Sequence, residues 1–338
     1  MQLPWFDALP AYLGGKRRLC RLIFALLATE VPQSRWRGLT LVDPFLGGGS
    51  VGLFAKAVGF HVLCSDIALR SAAIGRALIA NSSVTLGHGD IAALLSEPSG
   101  PYSRRAEERH SPGVFSKPHA RLLDRARHNI CSFPEPARSL VTVLVVKWAL
   151  RLQPMSQLRG TDARAAFEGD LDRVSPRRLG HYLKGSTLLT PEVWLSLADD
   201  VNTGVFPGSG EAYQEDALTF LPSVQGDVVY LDPPYVGTTS YEREYEVLDD
   251  LLEGETRPTS PFSRSTDLLP RLFQACSQIP IWLVSFNNAV LDLQDLLDLV
   301  RPLRPNIRAV RVPYRHLGSI ASEVKNAENE EFLILATT

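Results

Sequence analysis

The residues best suited to catalysis are an acid and an aromatic ring that flank two prolines, in the order Asp232, Pro233, Pro234 and Tyr235. They follow an apolar run typical of a buried strand, and proline removes backbone donors and ends strand pairing. The Asp232 carboxylate and the rigid Pro233 carbonyl could each accept one hydrogen of an exocyclic amino group, while the Tyr235 ring could stack on a base. This motif predicts an amine that attacks a methyl group held in line, with catalysis by positioning and electrostatics.

A glycine-rich segment, "DPFLGGGS" (43–50), lies where a first predicted strand ends and a helix begins. Its three consecutive glycines let the backbone approach a ligand closely, and the helix amino terminus offers free N–H groups. The segment is neither a Walker loop nor a strict GxGxxG fingerprint. Asp66 ends the next predicted strand, where an acid can accept both hydroxyls of a ribose. The pattern predicts an adenosine-containing ligand, either a dinucleotide or S-adenosylmethionine.

The elements that must position these two motifs indicate an α/β fold. Amphipathic spacing of leucine and isoleucine predicts a helix over 16–29. The predicted strands are 39–43, 61–66, 227–232, 281–286, 307–314 and 330–337. The further predicted helices are 50–58, 69–81, 190–201, 265–279 and 290–300. This alternation predicts a doubly wound, Rossmann-like sheet that carries both motifs at its carboxyl edge.

The middle of the chain interrupts this alternation. Residues 96–118 are rich in Ser, Pro, Gly and Arg and are predicted to form a loop. The apolar run 138–150 is expected to be buried, and its β-branched residues leave helix and strand both open. One α/β domain, residues 1–83 and 204–338, is therefore predicted to carry an insertion at 84–203.

Composition excludes several classes of protein. The chain has 338 residues, a net charge of −2 and 45% hydrophobic residues, so a large buried core is expected. Its four cysteines are far apart, which argues against a metal site or a disulfide framework. No apolar run approaches the roughly 18 residues of a membrane span, and the first residues lack a signal-peptide pattern, so a cytoplasmic protein is expected.

Charge is uneven along the chain. Residues 101–130, 147–185 and 301–325 are basic, whereas 241–255 is acidic. These stretches could give the molecule one basic and one acidic face, the former suited to a polyanion.

Five segments together resemble the alpha-group DNA adenine-N6 methyltransferases, the DNA adenine methylase family. They are "YLGGKRRL" (12–19), "DPFLGGGS" (43–50), "DPPY" (232–235), "SFNN" (285–288) and "YRHLGSIASEVKNAENEEFLI" (314–334). The resemblance implies an S-adenosylmethionine-dependent methyltransferase fold and makes 84–203 a mainly helical target-recognition domain. It covers both ends of the chain and is poor across that insertion.

The resemblance also implies roles for individual residues. Lys16 would neutralise the methionine carboxylate of the cofactor, Asp66 would bind its ribose, and Asp232 would face both reactants. Asp43 is expected to order the glycine loop. The remaining residues expected to bind the cofactor are Tyr12, Phe45, Gly47, Gly49, Ile67, which packs on its adenine, and Asp216, at the adenine edge.

DNA contacts are expected in the basic stretches. In "LQPMSQLRGT" (152–161), Gln157 and Arg159 are candidates for base or phosphate contacts. The candidates for phosphate contacts, which position DNA without reading its sequence, are Arg177, Arg178, Arg315, His316 and Lys325.

The expected activity is transfer of a methyl group from S-adenosylmethionine to the amino group of a flipped adenine at a specific site in DNA. Double-stranded DNA is the expected partner, and a separate restriction endonuclease would make the enzyme part of a restriction-modification pair. An RNA adenine methyltransferase and a catalytically silent DNA-binding relative are the alternatives. Methyltransferases acting on cytosine more often have Ser in place of Asp232, and those acting on protein glutamine Asn.

Overall fold

The computed structural model describes residues 3–152, 190–236, 241–254, 260–313 and 330–338. The chain divides into two compact units. The sheet unit consists of residues 14–67, 208–241 and 258–338, and the helical unit of residues 1–13, 68–207 and 242–257.

The sheet unit contains seven strands in the order β3-β2-β1-β4-β5-β7-β6. They are β1 (Thr40–Asp43), β2 (His61–Ser65), β3 (Ser209–Tyr213), β4 (Val228–Leu231), β5 (Ile281–Asn287), β6 (Asn306–Pro313) and β7 (Glu330–Thr337). All neighbours are parallel except β7, which runs antiparallel to β5 and β6. The strand order reverses between β1 and β4, and ligands of open α/β sheets bind at such a switch point.

Thirteen helices are described outside the short 3-10 turns. They are α1 (Cys20–Ala28), α2 (Ser50–Val58), α3 (Leu69–Ile74), α4 (His88–Leu95), α5 (Arg105–His110), α6 (Lys117–Ile130), α7 (Ala137–Leu152), α8 (Pro191–Asn202), α9 (Ala217–Ser223), α10 (Tyr241–Glu253), α11 (Pro261–Arg264), α12 (Leu269–Ala275) and α13 (Leu293–Val300). A π-helical segment, Gly75–Ala80, continues α3. Helices α3 to α8 lie in the helical unit.

Burial explains why the central strands are so apolar. Every residue of β4 is buried, and Val42 and Val229 are paired neighbours in β1 and β4 with no exposed surface. Parallel strands that are covered on both faces have continuously apolar sequences, and β1 and β4 show this pattern. On the β5 side the Trp282 ring stacks on Phe273 of α12, with centroids 5.6 Å apart.

The predicted doubly wound α/β fold is confirmed, and most predicted elements are present within one to four residues of their expected ends. Helix α2 begins after Gly49 and ends before Gly59, and both glycines have left-handed backbone angles (φ 74° and 106°). The apolar run 138–150, whose sequence was compatible with either a helix or a strand, lies within helix α7. The boundaries predicted for the insertion stay a prediction.

The structure corrects one predicted loop and adds one strand to the predicted sheet. Residues 96–118 contain helix α5, because the distant Asp124 carboxylate accepts hydrogen bonds from the N–H groups of Ala106 and Glu107 at 2.7 and 3.0 Å. Strand β3 was not predicted. It is a short, half-exposed edge strand of sequence "SGEAY", which lacks the apolar alternation of a buried strand.

The acidic stretch 241–255 is partly neutralised inside the helical unit. The Asp249 carboxylate of α10 is buried against Arg70, and Asp250 accepts hydrogen bonds from Arg105 and His110. Although burial raises the pKa of Asp250, these hydrogen bonds outweigh burial and lower it to about 2. The prediction of separate basic and acidic faces is wrong for these residues, because they form internal ion pairs.

Among the described helices, none is long and apolar enough to cross a membrane.

Candidate active site

Four carboxylates of the sheet unit lie at the carboxyl edge of the sheet. Asp43 ends β1, Asp66 follows β2, and Asp232 follows β4. Because β7 is antiparallel to β5, its start lies at the same edge, and Glu331 pairs with Asn287 at the end of β5. Sequence analysis found the first three, whereas Glu331 was not predicted.

Lys16 is the cation at the centre of this edge. Its ammonium nitrogen lies 3.0 and 2.9 Å from the two carboxylate oxygens of Asp232, and 3.4 Å from Glu331 Oε1. It also donates to the Gly14 carbonyl at 3.0 Å, and 3% of its surface is exposed. The family resemblance implied that Lys16 lies beside the cofactor carboxylate, which stays a prediction. The described contacts make it the counter-ion of the acid in the acid–proline–proline–tyrosine motif.

Tyr235 connects the same two carboxylates. Its hydroxyl oxygen lies 2.8 Å from Asp232 Oδ1 and also forms a short hydrogen bond with Glu331 Oε1. Its ring packs edge-on against Phe286 and beneath the Lys16 ammonium, 4.9 Å from the ring centroid. The side chain is 4% exposed, so both its ring and its hydroxyl are held in place.

The charge state of Asp232 follows from this environment. Burial raises the pKa of Asp232, and the neighbouring Glu331 raises it further, whereas Lys16 and the Tyr235 hydroxyl lower it. One lysine faces two carboxylates here, so the cluster favours retention of a proton. The protons of such a pair belong to the pair as a whole rather than to either acid.

The glycine loop is ordered by two acids. The Asp43 carboxylate interacts with the backbone N–H groups of Phe45 and Gly52, which lie on either side of the three glycines. Asp66 Oδ2 accepts a hydrogen bond from the Gly47 N–H at 2.8 Å. Gly47 has φ 52°, a left-handed conformation that glycine adopts without steric cost. These hydrogen bonds fix the conformation of the loop at the carboxyl ends of β1 and β2.

Asp43 is a second acid of the site whose pKa is raised. Burial, Asp232 and Asp66 together raise its pKa to about 8, despite the opposing backbone hydrogen bonds. Among the described residues its Oδ1 atom is buried without a hydrogen-bond partner. A buried polar atom without a partner is costly, so Asp43 is either protonated or completed by a ligand.

Asp43→Asn is expected to make the protein less sensitive to alkaline pH. The pKa of Asp43 is raised on folding from 3.8 to about 8, so between these values the native state binds the extra proton. Stability from this group is therefore present at low pH and falls as pH rises through the window. Urea unfolding at pH 5 and pH 8.5 should show a smaller difference for the variant. An equal pH dependence in both proteins would contradict the raised pKa.

The other predicted cofactor residues have varied surroundings. The Phe45 ring packs against Phe262 in a T-shaped contact with centroids 5.3 Å apart. The Ile67 carbonyl accepts a hydrogen bond from Gln214 at 3.4 Å. Asp216 is exposed and caps helix α9 by accepting from the Leu218 N–H at 2.9 Å. Their roles toward a cofactor stay predictions.

Tyr12 belongs to the helical unit, whereas the other residues expected to bind the cofactor belong to the sheet unit. Its ring stacks on Tyr245 with centroids 5.1 Å apart, and the Tyr245 hydroxyl accepts a hydrogen bond from the Leu13 N–H. The Arg70 guanidinium lies 4.1 Å from the Tyr245 ring centroid.

The predicted DNA-contact residues all lie outside the described residues. They are Gln157, Arg159, Arg177, Arg178, Arg315, His316 and Lys325.

Two comparisons with known proteins agree with this geometry. The model of a family described as D12 class N6 adenine-specific DNA methyltransferase matches residues 12–143. The chain is also 26% identical over 340 residues to the Type II methyltransferase M2.HphI of Haemophilus parahaemolyticus, a match that covers 96% of each protein.

A Rossmann-like sheet whose carboxyl edge joins a glycine loop to an acid–proline–proline–tyrosine corner defines a methyltransferase. Residues 12–143 match the D12 class of N6 adenine-specific DNA methyltransferases, and the protein is a DNA methyltransferase that acts on adenine at specific sites. The predicted family and activity are confirmed, and neither the RNA methyltransferase nor the silent DNA-binding relative finds support in these matches.

Proposed function

We propose that the methyl donor is S-adenosyl-L-methionine and that the Asp232 cluster activates the adenine amino group. The observation that carries this proposal is the position of Asp232, which is paired with the buried Lys16 at the switch point beside the glycine loop. The D12 family implies a methyl donor, and an acid-lined glycine loop suits an adenosine-containing one.

The residues of the loop fit this cofactor. Asp66 is half-buried and uses Oδ2 to fix Gly47, so its carboxylate is oriented at the end of β2, where a ribose is expected. The buried Asp43 Oδ1 has no described partner and would be completed by a hydrogen-bond donor. Phe45, packed on Phe262, and half-buried Ile67 supply apolar surface for the adenine ring.

Catalysis by the protein's own groups rests on hydrogen-bond acceptance. Bound S-adenosyl-L-methionine supplies an electrophilic methyl group on a positively charged sulfur. Asp232 is 18% exposed while Lys16 is 3% exposed, so the carboxylate is accessible on one side and held by charge on the other. It accepts one amino hydrogen of adenine, and the Pro233 carbonyl accepts the second. Both acceptors are fixed before the substrate arrives, which is the source of electrostatic catalysis.

Tyr235 has a positioning role in this scheme. Its hydroxyl holds Asp232, and its ring would have to become more exposed than 4% to stack on a base. Extrusion of the adenine from the duplex costs a few kcal/mol, which contacts with DNA phosphates repay. The basic stretches 147–185 and 301–325 are proposed to supply them.

We further infer that the enzyme acts on DNA in the cytoplasm, beside a separate restriction endonuclease with the same target. The relative from Haemophilus parahaemolyticus is itself called a Type II methyltransferase. Sequencing of DNA from cells that express the protein, with detection of modified bases, would identify both the methylated adenine and its sequence context. A host protected from cleavage at that context would support the pairing.

Asp66→Ala is expected to weaken binding of S-adenosyl-L-methionine by about ten- to hundredfold, since a hydrogen bond to a charged group contributes roughly 1.5–3 kcal/mol. The loss has two sources, the acceptor for the ribose and the anchor of Gly47. Isothermal titration of the protein without DNA measures it. Asp292→Ala is the matched control, because that exposed acid caps helix α13 by accepting a hydrogen bond from the Asp295 N–H at 2.9 Å and has no predicted contact with the cofactor. Equal losses in both variants would contradict the proposed cofactor site.

A further inference from the structure

Glu331 is a buried acid to which the reaction as described gives no role. Its side chain has no exposed surface, although it is the second residue of β7. It contacts the Lys16 ammonium, the Tyr235 hydroxyl and the Ser285 hydroxyl, the last at 2.7 Å. Burial of an ionised carboxylate is costly, so this position requires an explanation.

A count of protons shows what Glu331 must carry. The Tyr235 oxygen lies within hydrogen-bond distance of both Asp232 Oδ1 and Glu331 Oε1. A phenol has one hydrogen and can donate to only one of these oxygens. If both carboxylates were ionised, the other contact would bring two unprotonated oxygens together. One of the two acids therefore carries a proton that it donates to the Tyr235 oxygen.

The surroundings place this proton on Glu331. The Lys16 ammonium lies 2.9 and 3.0 Å from Asp232 but 3.4 Å from Glu331, so it stabilises the charge of Asp232 more strongly. Asp232 is also 18% exposed, whereas Glu331 is fully buried. The neutral form belongs on the acid that is better shielded from water and farther from the cation.

We propose that Glu331 is a positioning residue that carries this proton and donates it to Tyr235, so that the Tyr235 hydroxyl donates to Asp232 and fixes it as an ionised acceptor. The proposal rests on the proposed role of Asp232. Among the described residues, the titratable groups around Glu331 include Lys16, Asp232, Tyr235 and the buried Tyr230 of β4. Glu331 sets the direction of the hydrogen-bond chain and does not touch the substrate.

Two variants separate this role from that of an ionised Glu331. In Glu331→Gln, one amide hydrogen replaces the carboxyl hydrogen as the donor to the Tyr235 oxygen. The other amide hydrogen can be donated to the Ser285 oxygen. That variant is expected to keep kcat within about threefold of the wild type. Glu331→Ala removes the donor and is expected to lower kcat about a hundredfold, as small displacements of catalytic groups do, with little change in KM for DNA. Equal losses in both variants, or no loss in either, would overturn the proposal.

Infrared spectroscopy tests whether Glu331 is protonated, and it requires no substrate. The difference spectrum between the wild type and Glu331→Gln at neutral pH should contain the C=O stretching band of a protonated carboxylic acid. A difference spectrum with only carboxylate bands would show that Glu331 is ionised and would overturn the proposal. This readout is independent of methyl transfer, so it remains decisive if the role proposed for Asp232 fails or if Glu331→Ala does not fold.

A double-mutant cycle tests whether Glu331 acts through Tyr235. Tyr235→Phe removes the hydroxyl that joins the two acids. In that background, Glu331→Ala is expected to lower kcat by less than about threefold, because residues that share one network show non-additive effects. A full hundredfold loss in the Tyr235→Phe background would show that Glu331 acts by another route.

Discussion

Asp232→Ala is expected to lower kcat for DNA methylation by about a thousandfold, the upper range for removal of a fixed active-site group that stabilises developing charge. The variant loses the acceptor that orients the adenine amino group, while the glycine loop and Asp66 remain intact. Affinity for S-adenosyl-L-methionine should therefore change by less than about threefold. Single-turnover methylation with labelled cofactor measures the rate, and isothermal titration measures the affinity.

The protein offers a control on the same strand for this substitution. Asp227 precedes β4 at its opposite end, where its carboxylate accepts a hydrogen bond from the Thr40 N–H at 2.7 Å. Asp227→Asn keeps an acceptor there and is expected to leave kcat unchanged. In Asp232→Ala, Glu331 can release its proton and become the counter-ion of Lys16, so loss of folding is not expected. A variant that methylates DNA at the normal rate would remove Asp232 from the mechanism.

Local sequence was sufficient to find the acids that end parallel strands. Asp43, Asp66 and Asp232 each follow a short apolar run, and parallel strands bring their carboxyl ends to one edge. The positions of Asp66 and Asp232 at strand ends were sufficient to predict their roles. The contacts of Asp43 with Phe45 and Gly52 are local in sequence, and Asp66 meets Gly47, 19 positions away, because β1 and β2 are adjacent parallel strands.

The partners of Lys16 were beyond sequence reasoning, because they depend on strand order. Asp232 is 216 positions away, and the two residues meet only once β4 lies at the centre of the sheet. Glu331 belongs to a segment, "ENEEFLI", that resembles an exposed acidic turn followed by a strand. Only antiparallel pairing of β7 with β5 brings it opposite Asn287 and buries it. The signal that could have found it is the resemblance of the closing hairpin to the family.

Lys16→Met is expected to destabilise the protein by about 3–5 kcal/mol at neutral pH, the cost of removing one partner from a buried ion pair. Asp232 and Glu331 would then face one another without their cation. The rate of methylation in this variant should also fall about a hundredfold, because Asp232 loses the group that keeps it ionised and in place. Urea unfolding and single-turnover methylation measure the two losses.

The pH dependence of Lys16→Met identifies the cause. Removal of the ammonium raises the pKa of Asp232 beyond its already raised position, so the native state binds a proton more firmly than the unfolded chain. The stability deficit should therefore shrink as pH falls toward the ordinary aspartate range and grow as pH rises. Lys56→Met is the control, since burial alone lowers the pKa of Lys56 to about 8. Well below pH 8 Lys56 is charged in both the native and the unfolded state, so its replacement should change stability by a constant amount there. A pH-independent deficit in Lys16→Met would show that Lys16 contributes through packing rather than through charge.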